Sequence, residues 1–80
     1  MTFTNTYKGV WESDKQQIVA AVISRESGEA LKDTEPMFRI VEGDKGYKVY
    51  RTLFGGRRQY LKTKKTMDEA IRFAEQEVEL

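Results

Sequence analysis

The residue types that this chain lacks limit the chemistry open to it. Its 80 residues include no histidine and no cysteine, which removes the commonest general base, the commonest metal ligand and every thiolate site. The carboxylates at Asp33, Glu35 and Glu42 are too scattered to predict a metal site, and no pairing of carboxylates or lysines predicts a catalytic mechanism. We therefore expect a protein that is not an enzyme and that uses no cofactor and no small-molecule substrate.

The positive charge is concentrated in one stretch of the chain. Residues 44–65 carry eight basic side chains and one acidic side chain, residues 1–43 carry five basic and seven acidic, and residues 66–80 carry one basic and five acidic. Arginine forms paired hydrogen bonds with guanine edges and lysine neutralises phosphates. Tyr50, Phe54 and Tyr60 lie among these basic residues and suit stacking on single-stranded bases. The block therefore indicates nucleic-acid binding.

The basic block also fits two alternatives to nucleic-acid binding. Edge strands carry lysine to prevent aggregation, and a basic strand can balance an acidic helix, so that the block is only a solvated face. The same charges also suit a surface that binds another protein.

Composition favours one small folded domain. The chain is 39% apolar and 34% charged, which is typical of a globular protein rather than a disordered one. The longest apolar run, residues 18–23, is too short to span a bilayer, and the N-terminal stretch lacks the apolar core of a signal peptide. We expect a soluble cytoplasmic protein with no membrane partner.

The last element is predicted to be a helix over residues 67–78. Thr66 followed three residues later by Glu69 forms a capping-box pattern, which satisfies backbone N–H groups at a helix start. Met67, Ala70, Ile71, Ala74 and Val78 recur at helical spacing.

Before the helix, two turn signals predict three antiparallel strands, roughly over residues 37–42, 47–54 and 57–63. A loop centred on Asp44 and Lys45 pairs Glu42 with Tyr47, and a two-residue loop at Gly55 and Gly56, both with positive φ, pairs Phe54 with Arg57. This register predicts one face for the helix, formed by Phe38, Ile40, Tyr47, Val49, Leu53 and Tyr60. The opposite face holds Arg39, Val41, Lys48, Tyr50, Thr52, Phe54, Arg57, Gln59 and Leu61, and one bulge would exchange the faces beyond it.

The first 36 residues allow two structures. Residues 13–28 fit a helix capped by Ser13, or a strand followed by a hairpin turn with Gly28 at a positive φ, and β-branched residues slightly favour the strand. The predicted fold class is α+β: a small single domain, residues 1–80, in which an antiparallel β-sheet of at least three and up to five strands packs on one C-terminal α-helix. Residues 1–36 form a β-hairpin or helix, and residues 37–80, after the boundary at Pro36, form a β-β-β-α unit.

The C-terminal unit resembles a known family. Its order of aromatic strand, glycine turn, basic strand, Thr66, acidic pair and Ala-rich helix is similar to the arm-type DNA-binding domains of tyrosine recombinases and the related plant ethylene-response domains. The resemblance covers about the last 40 residues. This chain has Lys64 where the family usually has a buried aromatic residue before the threonine. In that family the sheet lies in the DNA major groove, with the helix behind it. The resemblance implies a nucleic-acid-binding surface of Arg39, Lys48, Tyr50, Arg57, Arg58, Gln59, Lys62 and Lys64.

Two functions follow from these patterns. The first is a small non-enzymatic DNA-binding protein, an accessory or regulatory factor of a phage or mobile element. The second is a small protein-binding inhibitor or adaptor that uses the same surface, for example a phage-encoded inhibitor of a host system.

Overall fold

A computed structural model describes residues 1–79. Within this range the chain is an α+β domain with seven antiparallel strands in two sheets and one C-terminal helix. The strands are β1 (Phe3–Tyr7), β2 (Val10–Ser13), β3 (Gln16–Ile23), β4 (Ala30–Pro36), β5 (Phe38–Gly43), β6 (Gly46–Thr52) and β7 (Arg58–Lys64), and the helix is α1 (Met67–Glu79). The predicted fold class is confirmed, with two strands more than the upper expectation of five.

The larger sheet is a five-stranded meander. Its order is β1-β2-β5-β6-β7, so each strand pairs with the next one in the sheet, and the β3–β4 hairpin is inserted between β2 and β5. Residues 1–13 therefore contribute two strands to the same sheet as the C-terminal unit, which was not predicted from the sequence.

Helix α1 packs on one face of this sheet, against β6 and β7. The core between them is formed by Phe38, Ile40, Val49, Ala70 and Ala74, all fully buried. The two alanines let the helix axis approach the sheet closely because their side chains are small. Trp11 borders the core and meets Tyr47 edge-on at 5.9 Å between ring centroids, so this tryptophan has a packing role.

The helix begins where the capping pattern predicts. The Glu69 backbone N–H donates to the Thr66 hydroxyl at 3.2 Å, and the Ala70 N–H donates to the Thr66 carbonyl at 3.1 Å. Asp68 and Glu69 lie in the first turn, where their negative charges interact favourably with the helix dipole. The predicted helix is therefore confirmed, with its end one residue later than predicted.

The turn between β6 and β7 is one residue longer than predicted. Gly55 and Gly56 have φ values of 94° and 84°, which confirms the predicted positive φ at both. However, the Leu53 N–H donates to the Arg57 carbonyl at 2.7 Å, so the loop holds three residues, and the predicted pairing of Phe54 with Arg57 is wrong. The turn between β5 and β6 matches its prediction, because Glu42 pairs with Tyr47.

A bulge in β7 exchanges the faces of Tyr60 and Leu61 relative to the prediction. Val49 pairs with Lys62 while Tyr50 pairs with Tyr60, which leaves Leu61 as the extra residue. Leu61 therefore packs against the core, and Tyr60 projects with Tyr50 from the face that the helix leaves uncovered. The predicted places of Tyr60 on the helix face and Leu61 on the opposite face are both wrong for this reason.

Strands β3 and β4 form a separate two-stranded sheet, here named the protruding hairpin (residues 16–36). This confirms the strand prediction over the helix, and Gly28 in its turn has a φ of 72°. The domain measures 50 × 28 × 19 Å, with a radius of gyration of 14.5 Å, whereas a compact chain of this length would have about 12 Å. The hairpin accounts for this elongation, because its strands pair only with each other and the side chains at its outer end are exposed.

Two buried hydroxyl groups hold the base of the protruding hairpin. Ser13 accepts a hydrogen bond from the Phe38 N–H at 3.0 Å and donates to the Lys15 carbonyl at 2.8 Å. Thr52 donates to the Pro36 carbonyl at 2.6 Å. Ser13 of β2 and Thr52 of β6 therefore fix both ends of the protruding hairpin to the main sheet.

Candidate nucleic-acid interface

The predicted site residues do not all lie on one surface. The sheet face opposite α1, here named the helix-free face, carries alternate residues of each strand and includes Glu12, Arg39, Lys48, Tyr50, Arg58 and Tyr60. Of the eight residues predicted to bind nucleic acid, this face therefore holds Arg39, Lys48, Tyr50 and Arg58.

The other four predicted residues lie elsewhere. Gln59 pairs with Arg51, whose guanidinium lies 5.9 Å from the ring centroid of core residue Phe38, so Gln59 is on the helix side of the sheet. Arg57 is exposed at the end of the glycine turn, and Lys62 is exposed beside the bulge, opposite Val49. The longer turn shifts Arg57 and Gln59 from their predicted places, whereas Lys62 pairs with Val49 as the predicted register already implied.

Lys64 contacts the helix rather than the helix-free face. It pairs with Tyr47, and its Nζ lies 5.4 Å from the centroid of the Phe73 ring. An ammonium group at this distance is attracted by the ring, and the alkyl stem covers apolar surface at the same time. Lys64 therefore helps to pack β7 against α1.

A row of five side chains crosses the centre of the helix-free face. The pairings of Thr4 with Glu12, Glu12 with Arg39, Arg39 with Tyr50, and Tyr50 with Tyr60 place one residue of each strand in this row. Cross-strand neighbours on one face lie close enough to interact directly. The row therefore combines an acid, a base and two aromatic rings.

Arg39 is held by an acidic partner within this row. Its Nη2 lies 2.7 Å from Oε2 of Glu12, and both side chains are more than two-thirds covered. Burial opposes the charge on Glu12, but the hydrogen bonds from Arg39 and then Thr6 outweigh it and lower the pKa of Glu12 below its ordinary value. Because Glu12 stays ionised and keeps Arg39 engaged, a base-reading role for Arg39 requires this pair to open.

Arg58 has a looser partner. Its Nη2 lies 3.4 Å from Oε1 of Glu35 at the base of the protruding hairpin, and both side chains are about one-third exposed. Exposed ion pairs of this kind contribute at most about 1 kcal/mol. Arg58 can therefore exchange Glu35 for a phosphate at little cost.

The sequence indicated Tyr50 and Tyr60 as stacking residues but predicted them on opposite faces of the sheet, so their direct contact on the helix-free face was not predicted. The rings of Tyr50 and Tyr60 meet edge-on, with centroids 5.8 Å apart and an interplanar angle of 65°. Tyr60 is 53% exposed, and its hydroxyl lies 2.6 Å from that of Thr63. The signal that could have found this pair is the apolar Leu61, which needs burial and can reach the core only if the strand bulges.

Other kinds of site have no support in the part of the chain that the structure describes. Among residues 1–79, no group of three acidic side chains could hold a metal ion. No helix in the same range is long and apolar enough to cross a membrane. The cavity formed by Met1, Asp14, Lys15, Glu75 and Val78 is open to solvent.

Comparisons with protein-family models, with curated proteins and with solved structures found no match. The resemblance to arm-type DNA-binding domains therefore stays a prediction, and so do the DNA-binding role and the assignment to a phage or mobile element.

Proposed function

We propose that this chain is a small nucleic-acid-binding protein that binds single-stranded DNA on its helix-free face. The observation that carries the proposal is the partly exposed Tyr50–Tyr60 pair, which lies along the strands between Lys48 and Arg58. Aromatic rings on a sheet offer stacking surfaces to bases, and flanking cations interact with the phosphates.

Single strands suit this face better than a duplex. Duplex reading depends on arginine side chains that are free to reach base edges, whereas Arg39 is held by Glu12 in the centre of the face. Stacking on Tyr60 needs no such release. Lys48 is exposed and Arg58 is only loosely paired, so both can contact phosphates on either side of the stacked bases.

The test is fluorescence anisotropy with a labelled oligothymidine, a labelled RNA and a labelled duplex over a salt series. Two neutralised phosphates on a single strand predict a slope of about −1.4 for the logarithm of affinity against the logarithm of salt concentration. Tyr60→Ala should weaken binding about 5- to 150-fold, since one stacked base contributes about 1 to 3 kcal/mol. Binding of the duplex in preference to both single strands would contradict the stacking argument.

The matched control is Tyr7→Ala. Tyr7 is 72% exposed and shares the helix-free face, because it pairs with Val10 and Val10 with Val41, but it lies on β1, at the opposite edge of the sheet from β7. Its loss should leave oligonucleotide affinity unchanged, and an equal loss in both variants would indicate non-specific contact with aromatic surface.

A second candidate function is protein binding by the same face. The observation that favours it is that Arg39 and Arg58 already have acidic partners, so the face carries both signs of charge. A mixed surface suits a protein partner better than a uniform polyanion. Failure of every oligonucleotide to bind at low salt would favour this candidate over the first.

A further inference from the structure

The two strands of the protruding hairpin differ in how their edges are protected. Strand β3, Gln16–Ile23, contains no charged residue in eight positions, whereas β4 carries Lys32, Asp33 and Glu35. Natural proteins place charges on exposed edge strands because these prevent pairing with another chain. Strand β4 has this protection and β3 lacks it.

The outer edge of β3 is open beyond Val19. In the described residues β3 pairs only with β4. At Val19 the backbone carbonyl accepts a hydrogen bond from the Gly55 N–H at 2.8 Å, which joins the strand to the β6–β7 turn. From Ala20 outward no such contact is made to the main sheet in residues 1–79, and Val22 and Ile23 are 63% and 72% exposed.

We propose that two copies of this chain pair antiparallel through their β3 edges, giving a four-stranded sheet in the order β4-β3-β3-β4. The pairing is centred on Ala21 or Val22. This inference does not rest on nucleic-acid binding, because it uses a different part of the molecule.

Two-fold symmetry favours β3 over β4 as the paired edge, and a second copy of the chain as its partner. In a two-fold antiparallel pair, one central residue lies opposite the same residue of the second copy. Two identical side chains must therefore fit side by side at that position without repulsion. On β3 this residue is Ala21 or Val22, and neither carries charge. On β4 a central pairing would place Lys32 or Asp33 opposite the same charge, which is unfavourable.

The length of the open edge also fits this arrangement. Pairing centred on Val22 sets Ala20 opposite Ser24, so the paired stretch ends beside Val19, whose carbonyl already accepts the Gly55 N–H. Leu31, which pairs with Val22 within the hairpin and is 62% exposed, lies one strand away from the new junction. Because so few residues pair, the interface is well below the area of a standard stable interface, and we expect a dissociation constant of about 1 to 100 μM.

The first test is sedimentation equilibrium of the whole chain. We expect a reversible monomer–dimer equilibrium, and Val22→Lys should raise the dissociation constant at least about tenfold because the new charge enters the interface twice. The control is Leu31→Lys, which places the same charge on the same face of the hairpin but on β4. Its effect should be much smaller. A chain that is monomeric up to about 1 mM, ten times the weakest expected constant, would overturn the proposal. So would equal effects of the two variants, which would indicate face-to-face packing instead.

The second test uses the absence of cysteine from the chain. Opposite residues of antiparallel strands have Cα atoms about 4.5 to 5.5 Å apart, within the range for a disulfide. Under mild oxidation either Ala21→Cys or Val22→Cys should form a covalent dimer rapidly, and Leu31→Cys should not. If neither β3 variant crosslinks, or if Leu31→Cys crosslinks equally fast, the β3 pairing is wrong.

Discussion

Replacing Ser13 with alanine should destabilise the domain far more than the same change at an exposed serine. The Ser13 side chain is 3% exposed, and its hydroxyl is the acceptor for the N–H of fully buried Phe38. The Lys15 carbonyl, which Ser13 also bonds, keeps a second donor in the Met37 N–H at 2.8 Å. The variant therefore leaves one buried donor without its partner.

The magnitude follows from that single orphaned group. A buried donor without an acceptor costs about 1 to 3 kcal/mol. For a domain of this size each kcal/mol lowers the melting temperature by about 4 to 8 °C. We therefore expect a loss of about 2 kcal/mol in the free energy of unfolding, together with faster amide exchange at Phe38.

The assay is urea denaturation followed by the fluorescence of Trp11, the single tryptophan, which borders the core. The control is Ser27→Ala at the exposed tip of the protruding hairpin, which should change stability by less than about 0.5 kcal/mol. If Ser13→Ala and Ser27→Ala have equal effects, the hydroxyl does not hold the hairpin base as described.

Three further predictions concern other parts of the molecule. The pKa of Glu12 is lowered in the folded state, so its charge stabilises the fold at pH values above its unfolded pKa. This stability is lost as the pH falls through the folded pKa. In acid titrations, Glu12→Gln should therefore flatten the fall in stability below about pH 4.5. Thr66→Ala should destabilise by about 1 kcal/mol and Ile71→Ala by about 2 kcal/mol or more in urea melts, and negligible losses in both would show that α1 does not dock on the sheet. A Cβ at Gly46, where φ is 135°, would overlap the Lys64 carbonyl oxygen; Gly46→Ala should therefore cost about 2 kcal/mol or more, and an unchanged melting temperature would contradict the β6–β7 geometry.

The helix and the positions of the glycine turns were predictable because their signals are local. Thr66 with Glu69 marks a helix start, and Gly55 with Gly56 marks positive φ, without reference to distant residues. The β-branched residues around Ile18 likewise predicted a strand at β3 correctly from local sequence alone.

The division of the candidate site was not predictable in this way. The bulge lets the apolar Leu61 reach the core, and the three-residue turn donates the Gly55 N–H to the Val19 carbonyl of the protruding hairpin, so both involve residues distant in sequence. Both are tertiary effects that override the simplest local register. Each shift moves alternate side chains to the other face, which is why Tyr60 and Gln59 changed places.

The most direct test of the helix-free face is an NMR titration of the ¹⁵N-labelled chain with unlabelled oligothymidine. We expect chemical-shift changes centred on Tyr50 and Tyr60, extending to Lys48 and Arg58, with the amides of α1 unaffected. These changes should saturate and weaken with added salt. Changes confined to α1 or to the protruding hairpin, or no changes at low salt, would contradict the proposal that this face binds single-stranded DNA.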